Sequence, residues 1–200
     1  MGSREAELIN FLKKKSGLAS YAEIVEAGFN KILLKTSLNS KRIYKIDRGL
    51  YRLAEGASLS NPDLVAVSIR IPHGVVCLVS ALSFHGATKE IPEHVDIAIP
   101  RGSHANKIKY PPVKFYRFDP VTSQQGVEKH NIEGHIVKVY SLARTVADCF
   151  KFRNKIGVDV AREALKVAIE EKKVRPKEIM QYAQICRVDR IIKPILEIMI

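Results

Sequence analysis

The spacing of apolar positions assigns the elements of the first third of the chain. After Ser3, residues Ala6, Leu8, Ile9, Phe11 and Leu12 recur every three to four positions. That period predicts an amphipathic helix, with Lys13, Lys14 and Lys15 at its negative C-terminal end and Gly17 just beyond. Ser20-Tyr21-Ala22-Glu23 has the capping-box spacing, in which each side chain satisfies an orphan amide of the first turn. A second, short helix is therefore expected from Ser20 to Gly28. Asn30 is a good N-cap for a third, running from Lys31 to about Leu38. Ile32, Leu33 and Leu34 are consecutive, so the pattern does not say which of them faces inward. Arg42–Ile46 and Leu50–Leu53 are rich in aromatic and branched residues and flank Asp47-Arg48-Gly49, which predicts a β-hairpin. Two short helices across a glycine-containing turn, followed at once by a hairpin, predict a winged helix-turn-helix.

Periodicity breaks over Ala54–Pro62, a small and polar stretch. The expected organisation is a winged-helix domain over 1–56 and a mixed α/β domain over 57–200, with a small sheet flanked by helices. The fold class is α+β. In the second domain the pattern predicts helices over Pro62–Ile71, Ser80–His85 and from the cap Ser141 to about Phe152. Strands are expected at Val95–Pro100, Lys114–Phe118 and Ile136–Tyr140. Asp159 opens another helix, with Ala161, Leu165, Ala168 and Ile169 on one face. A last helical region starts at Pro176 and is expected to break at Pro194.

Composition narrows the function. Of 200 residues, 33 are Lys or Arg and 21 Asp or Glu, giving a formal charge of +12. Such a chain is drawn to polyanions. The excess has an address: Ala27–Arg52 holds Lys31, Lys35, Lys41, Arg42, Lys45, Arg48 and Arg52 against Asp47 alone, half of the net charge. No apolar run is long enough to span a bilayer and the start lacks an apolar leader, so no membrane partner and a cytoplasmic location are expected. Cys77, Cys149 and Cys186 are too far apart for a paired redox or zinc motif, which fits a reducing compartment.

In a winged helix the third helix enters the major groove while wing cations grip phosphates. The candidate DNA-binding residues are accordingly Ser20, Tyr21, Asn30, Lys31, Lys35, Lys41, Arg42, Lys45, Arg48 and Arg52. Asn30 is placed to reach a phosphate or an adenine edge. The alternatives are a winged helix that docks another protein and a solvated basic face. Ser80 and His85 at i and i+5 do not face each other, which argues against a nucleophile and base. The six histidines offer no i,i+4 pair and no cysteine at ligand spacing, so no metal or other cofactor is expected. Glu90, Glu93 and Asp96 at a strand edge suggest a metal-dependent nuclease, the competing enzyme reading. It lacks the further carboxylate and lysine on the following strand. Arg144 and Asp148 at i,i+4 read as a helix-stabilising pair.

Four short motifs occurring in order then carry a resemblance. Gly28-Phe29-Asn30 before the basic helix and Arg42 to Leu53 with its Arg48-Gly49-Leu50-Tyr51 centre are the first. Ser80-Ala81-Leu82 with His85-Gly86, Val95 to Gly102 with Pro100-Arg101-Gly102, and Ser141 to Asp148 with Arg144-Thr145 follow. Together they resemble the AbiEi-type antitoxins of type IV toxin–antitoxin pairs. A glycine usual in that family is replaced by Lys41, and the third helix has fewer arginines. The resemblance implies a DNA-binding autorepressor that is not an enzyme and binds the operator of its own operon. It also implies a second domain with the antitoxin role and a nucleotidyltransferase-like toxin as functional partner. Ser80, His85, Asp96, Arg101, Arg144 and Asp148 would be its motif residues there, in a structural or antitoxin role. A stand-alone regulator and homodimerisation are left open.

Overall fold

A computed structural model describes residues 3–55, 60–104 and 108–199. Among them are ten helices and eight strands in two sheets, a mixed α+β architecture. The chain forms two compact units. One comprises residues 1–72, 106–112 and 130–137, the other 73–105, 113–129 and 138–200.

The first unit opens with α1 (Ser3–Lys14), β1 (Leu18–Ser20), α2 (Tyr21–Glu26) and α3 (Lys31–Asn39), followed by β2 (Ile43–Asp47) and β3 (Leu50–Leu53). Leu8 and Leu12, one turn apart on α1, are fully buried against Ile24, Leu34, Ile43 and Leu53. Each such side chain contributes about 1.5–3 kcal/mol of burial. Phe11 and Phe29 add a tilted ring contact at 5.6 Å. The hairpin lies where the sequence predicts it, with a register shift between Lys45 and Asp47 that shortens its loop to Arg48-Gly49. Gly49 takes the φ of +71° that this turn requires. The apolar pattern does not predict strand β1. It pairs antiparallel with β3 and completes a sheet in the order β1-β3-β2.

The first unit runs past the expected 56/57 boundary, which itself falls outside the described residues. Helix α4 (Pro62–Arg70) belongs to it, and Leu64, Val65, Ala66 and Val67 on this helix are buried. Arg70 Nε also approaches the buried Asp47 carboxylate at 3.8 Å. Two later segments close on the same unit. Tyr110 Oη donates to Asp63 at 2.8 Å, and His135 Nε2 donates to the Lys15 carbonyl at 3.0 Å.

The second unit is built on β4 (Val75–Val76), β5 (Val95–Pro100), β6 (Val113–Phe118), β7 (Val127–Ile132) and β8 (His135–Tyr140), whose last two strands it shares with the first unit. Their order is β6-β5-β4-β8-β7, with β5–β6 and β4–β8 parallel and β4–β5 antiparallel. Strands β4 and β7 are additions to the three foreseen. The helices are α5 (Leu78–Phe84), α6 (Leu142–Lys151), α7 (Arg153–Ile156), α8 (Val158–Glu170), α9 (Pro176–Cys186) and α10 (Asp189–Met199). Helix α6 is the core helix, buried from Leu142 to Phe150. The expected break at Pro194 is corrected: Pro194 lies inside α10, and the chain turns instead at Arg187, whose φ is +59°.

Candidate nucleic-acid interface

Two caps fix the helices that carry the basic window. The Ser20 hydroxyl accepts from Glu23 N–H at 3.2 Å, and Ser20 N–H donates to the Glu23 carboxylate at 2.8 Å. Lys15 Nζ joins the same carboxylate at 3.1 Å. Burial alone would raise the Glu23 pKa, but the hydrogen bonds from Ser20 and Lys15 hold it below the ordinary value of 4.5. Ser20 is thus engaged as a cap and is half-buried. Gly28 turns the chain with a φ of +86°, Phe29 is buried beside it, and α3 begins. The Asn30 side-chain oxygen accepts from Leu33 N–H at 2.8 Å. The cap thus uses one of the two acceptor positions of the Asn30 oxygen and leaves its N–H donors unused by it.

Helix α3 resolves the run Ile32-Leu33-Leu34. Leu34 and Ser37 face the core and Leu33 is half-buried, while Ile32 is 76% exposed. The outward face carries Lys31, Ile32, Lys35 and Thr36. Glu5 on α1, which no sequence motif singles out, holds the far end of this helix. Its carboxylate accepts from Ser37 at 3.2 Å and Ser40 at 3.3 Å, and Arg42 Nε lies 3.9 Å away. Arg42 is thus drawn to Glu5.

On the hairpin, Tyr44 and Arg52 are cross-strand partners and both exposed, and Lys41, Lys45 and Arg48 are exposed beside them. Tyr21 is 39% exposed, and its N–H donates to the Gly49 carbonyl at 2.8 Å, tying the start of α2 to the hairpin loop. Asp47, the one carboxylate of the window, is turned away from solvent at 9% exposure. It accepts from Arg48 N–H at 2.6 Å and Lys109 N–H at 3.4 Å. Lys31, Lys35, Lys41, Lys45, Arg48 and Arg52 form no ion pair with a carboxylate among the described residues. The exposed side chains of this window are positive and its single acid is buried.

The candidates of the second unit are occupied by architecture. Ser80 Oγ accepts from Asp96 N–H at 2.9 Å and donates to the His94 carbonyl at 3.2 Å. His85 Nε2 donates to the Tyr140 carbonyl at 2.8 Å. Ser80 and His85 are therefore bound to different partners. Asp96 is 2% exposed, faces His94 Nε2 at 3.0 Å, and burial raises its carboxyl pKa against the pull of His94. It borders a cleft of about 380 Å³ with His94, Lys114, Tyr116 and Lys155. No group of three or more His, Cys, Asp or Glu side chains placed to hold a metal occurs among the described residues. Arg101 is exposed, and its N–H donates to the Phe118 carbonyl at 2.8 Å.

Arg144 and Asp148 are fully buried and pair at 2.9 Å. Arg144 also donates to the Thr122 carbonyl at 3.3 Å and sits among the rings of Tyr140, Phe118 and Tyr182. Cys186 Sγ donates to the other Asp148 oxygen at 3.1 Å. Burial outweighs Arg144 and raises the Asp148 pKa. This pair has a far larger packing role than the exposed i,i+4 bridge its spacing suggests.

No family model and no curated protein matches the chain. In fold it is similar to the crystal structure of the RV2827C protein from Mycobacterium tuberculosis, with a TM-score of 0.58 at 10% identity. The match covers 94% of this chain and 77% of that one. At that identity the likeness is one of fold. No helix among the described residues is long and apolar enough to cross a membrane.

Proposed function

We propose that this chain is a duplex-DNA-binding transcriptional regulator whose first unit is a winged helix. In this reading α2 and α3 form the helix-turn-helix and β2–β3 the wing. The observation that carries it is that Lys31 and Lys35 on α3 and Lys41, Lys45, Arg48 and Arg52 in and beside the hairpin are all exposed and unpaired with carboxylates among the described residues, while Asp47 is buried. With side chains an α-helix such as α3 is about 10–12 Å across, suited to a major groove about 12 Å wide. Wing cations on the flanking phosphates would set register and supply most of the affinity.

Binding of the full chain to labelled duplex DNA, followed by anisotropy across a salt series, tests the reading. Each phosphate contact releases roughly 0.9 counterion, so log K should fall with log salt with a slope of several units. Arg48→Ala and Arg52→Ala should weaken every duplex alike and each reduce the slope by about one. A flat salt dependence, or no binding at low salt, overturns the proposal.

On the AbiEi resemblance we propose further that the regulator is an autorepressor and that its second unit carries an antitoxin role. The toxin partner would be a nucleotidyltransferase-like protein. Co-expression with the product of an adjacent gene tests this: rescue of growth by the full chain supports it, and undiminished toxicity narrows the function to regulation.

A further inference from the structure

Helix α3 presents an unusual side chain in the middle of its cationic face. Ile32 is 76% exposed, in the first turn, with Lys31 before it and Lys35 one turn on. Thr36 follows Ile32 by one turn on the same face. Its hydroxyl proton is already given to the Ile32 carbonyl at 3.1 Å, which leaves its methyl and an acceptor oxygen beside Ile32. The result is a short apolar stripe, Ile32 and Thr36, bordered by two lysines.

In the major groove one base-edge feature is apolar, the C5 methyl of thymine. The lysine ammoniums suit phosphate oxygens or guanine acceptors, and an isoleucine offers neither a donor nor an acceptor. We infer that Ile32, supported by the Thr36 methyl, is a specificity-determining residue that selects a thymine by covering its methyl group. The inference rests on the DNA-binding reading above. It adds what that reading leaves open, the base chemistry selected at one position. A lone exposed isoleucine on a neutral surface would carry no such meaning; here the lysines on either side of it match the charge of the duplex.

The test uses the full chain and a random-sequence duplex library, from which bound duplexes are enriched at moderate salt. The preferred duplex is then remade with deoxyuridine replacing each thymine in turn, which removes only the methyl group. One such replacement should weaken wild-type binding about fourfold, equivalent to about 0.8 kcal/mol for one apolar carbon group covered. Ile32→Ala should show the same loss on the thymine duplex and no further loss on the deoxyuridine duplex, since the two changes remove one contact. Ile32 is exposed and alanine favours helix, so the variant keeps its fold.

If every deoxyuridine duplex binds like its parent, or one weakens wild type and Ile32→Ala equally, the inference is overturned while DNA binding stands. An enriched motif without thymine has the same consequence. If no duplex is retained at any salt concentration, the DNA-binding reading itself fails.

Discussion

At the scale of single residues, the largest energetic commitment is the Arg144–Asp148 pair, at 0% side-chain exposure for both partners. Burying two charges costs several kcal/mol each unless geometry and further hydrogen bonds offset it. Here Thr122 and Cys186 supply hydrogen bonds and three aromatic rings face the guanidinium. Asp148→Asn or Arg144→Met alone should therefore destabilise the second unit by about 3–5 kcal/mol, read from urea unfolding. A combined Arg144→Met and Asp148→Leu variant should recover much of the loss, since no uncompensated charge remains. Equal losses for single and double variants would contradict this account. Glu23 gives a pH signature. Its folded pKa lies below the ordinary 4.5, so its contribution is complete above that value and is lost as pH falls through the folded pKa. Glu23→Gln should flatten the acid side of the stability profile while keeping the capping box, since a Gln oxygen also accepts from the Ser20 N–H; a profile read from urea unfolding between about pH 3 and 7 checks this.

At the scale of elements, what could be read from the sequence was what repeats. The caps Ser20, Asn30 and Ser141 and the 3.6-residue spacing set α1, α2, α3 and α6 within a residue or two. Strand β4 has two residues and β1 has three, too short for alternation to register. Strand β7 reads Val-Glu-Lys-His-Asn-Ile and is poor in strand formers. It lies at a sheet edge, where charge guards against mispairing, so its polarity reflects a position that local sequence does not reveal. Within the candidate interface, the charge window was visible but the inward turn of Asp47 was not. That turn depends on Lys109 and Arg70, distant in sequence. A similar long-range constraint acts on Gly126, in the turn before β7. Its φ is +72°, and a Cβ there would lie 2.9 Å from Arg144 Cβ and 3.0 Å from the Tyr182 ring. Gly126→Ala should lower the melting temperature by several degrees, the shift expected from roughly 1–3 kcal/mol in a chain of this size. An unchanged melting temperature would show that the turn relaxes freely.

At the scale of the whole molecule, the compact units and the sequence division differ in a way that truncation can test. A fragment ending at Glu55 contains every group assigned to DNA. Yet a domain that small buries only about 60% of the surface its unfolded chain exposes. It also lacks α4, which contributes the buried Leu64, Val65, Ala66 and Val67 and brings Arg70 to Asp47. Without Arg70 and Lys109, the Asp47 carboxylate loses two of the groups that hold it in the hairpin. A fragment through Pro72 restores α4 and Arg70 but still lacks Lys109, together with the Tyr110–Asp63 and His135–Lys15 hydrogen bonds. The expected order of melting temperature for the first unit is full chain, then the Pro72 fragment, then the Glu55 fragment. DNA affinity should follow the same order, because only folded molecules present α3 and the hairpin together. The salt slope of the Pro72 fragment should match that of the full chain, since it keeps every cation proposed to meet phosphate. If the Glu55 fragment melts as high as the Pro72 fragment and binds as tightly, α4 contributes nothing to this unit. The Asp47–Arg70 pair would then be incidental to the shape of the basic face.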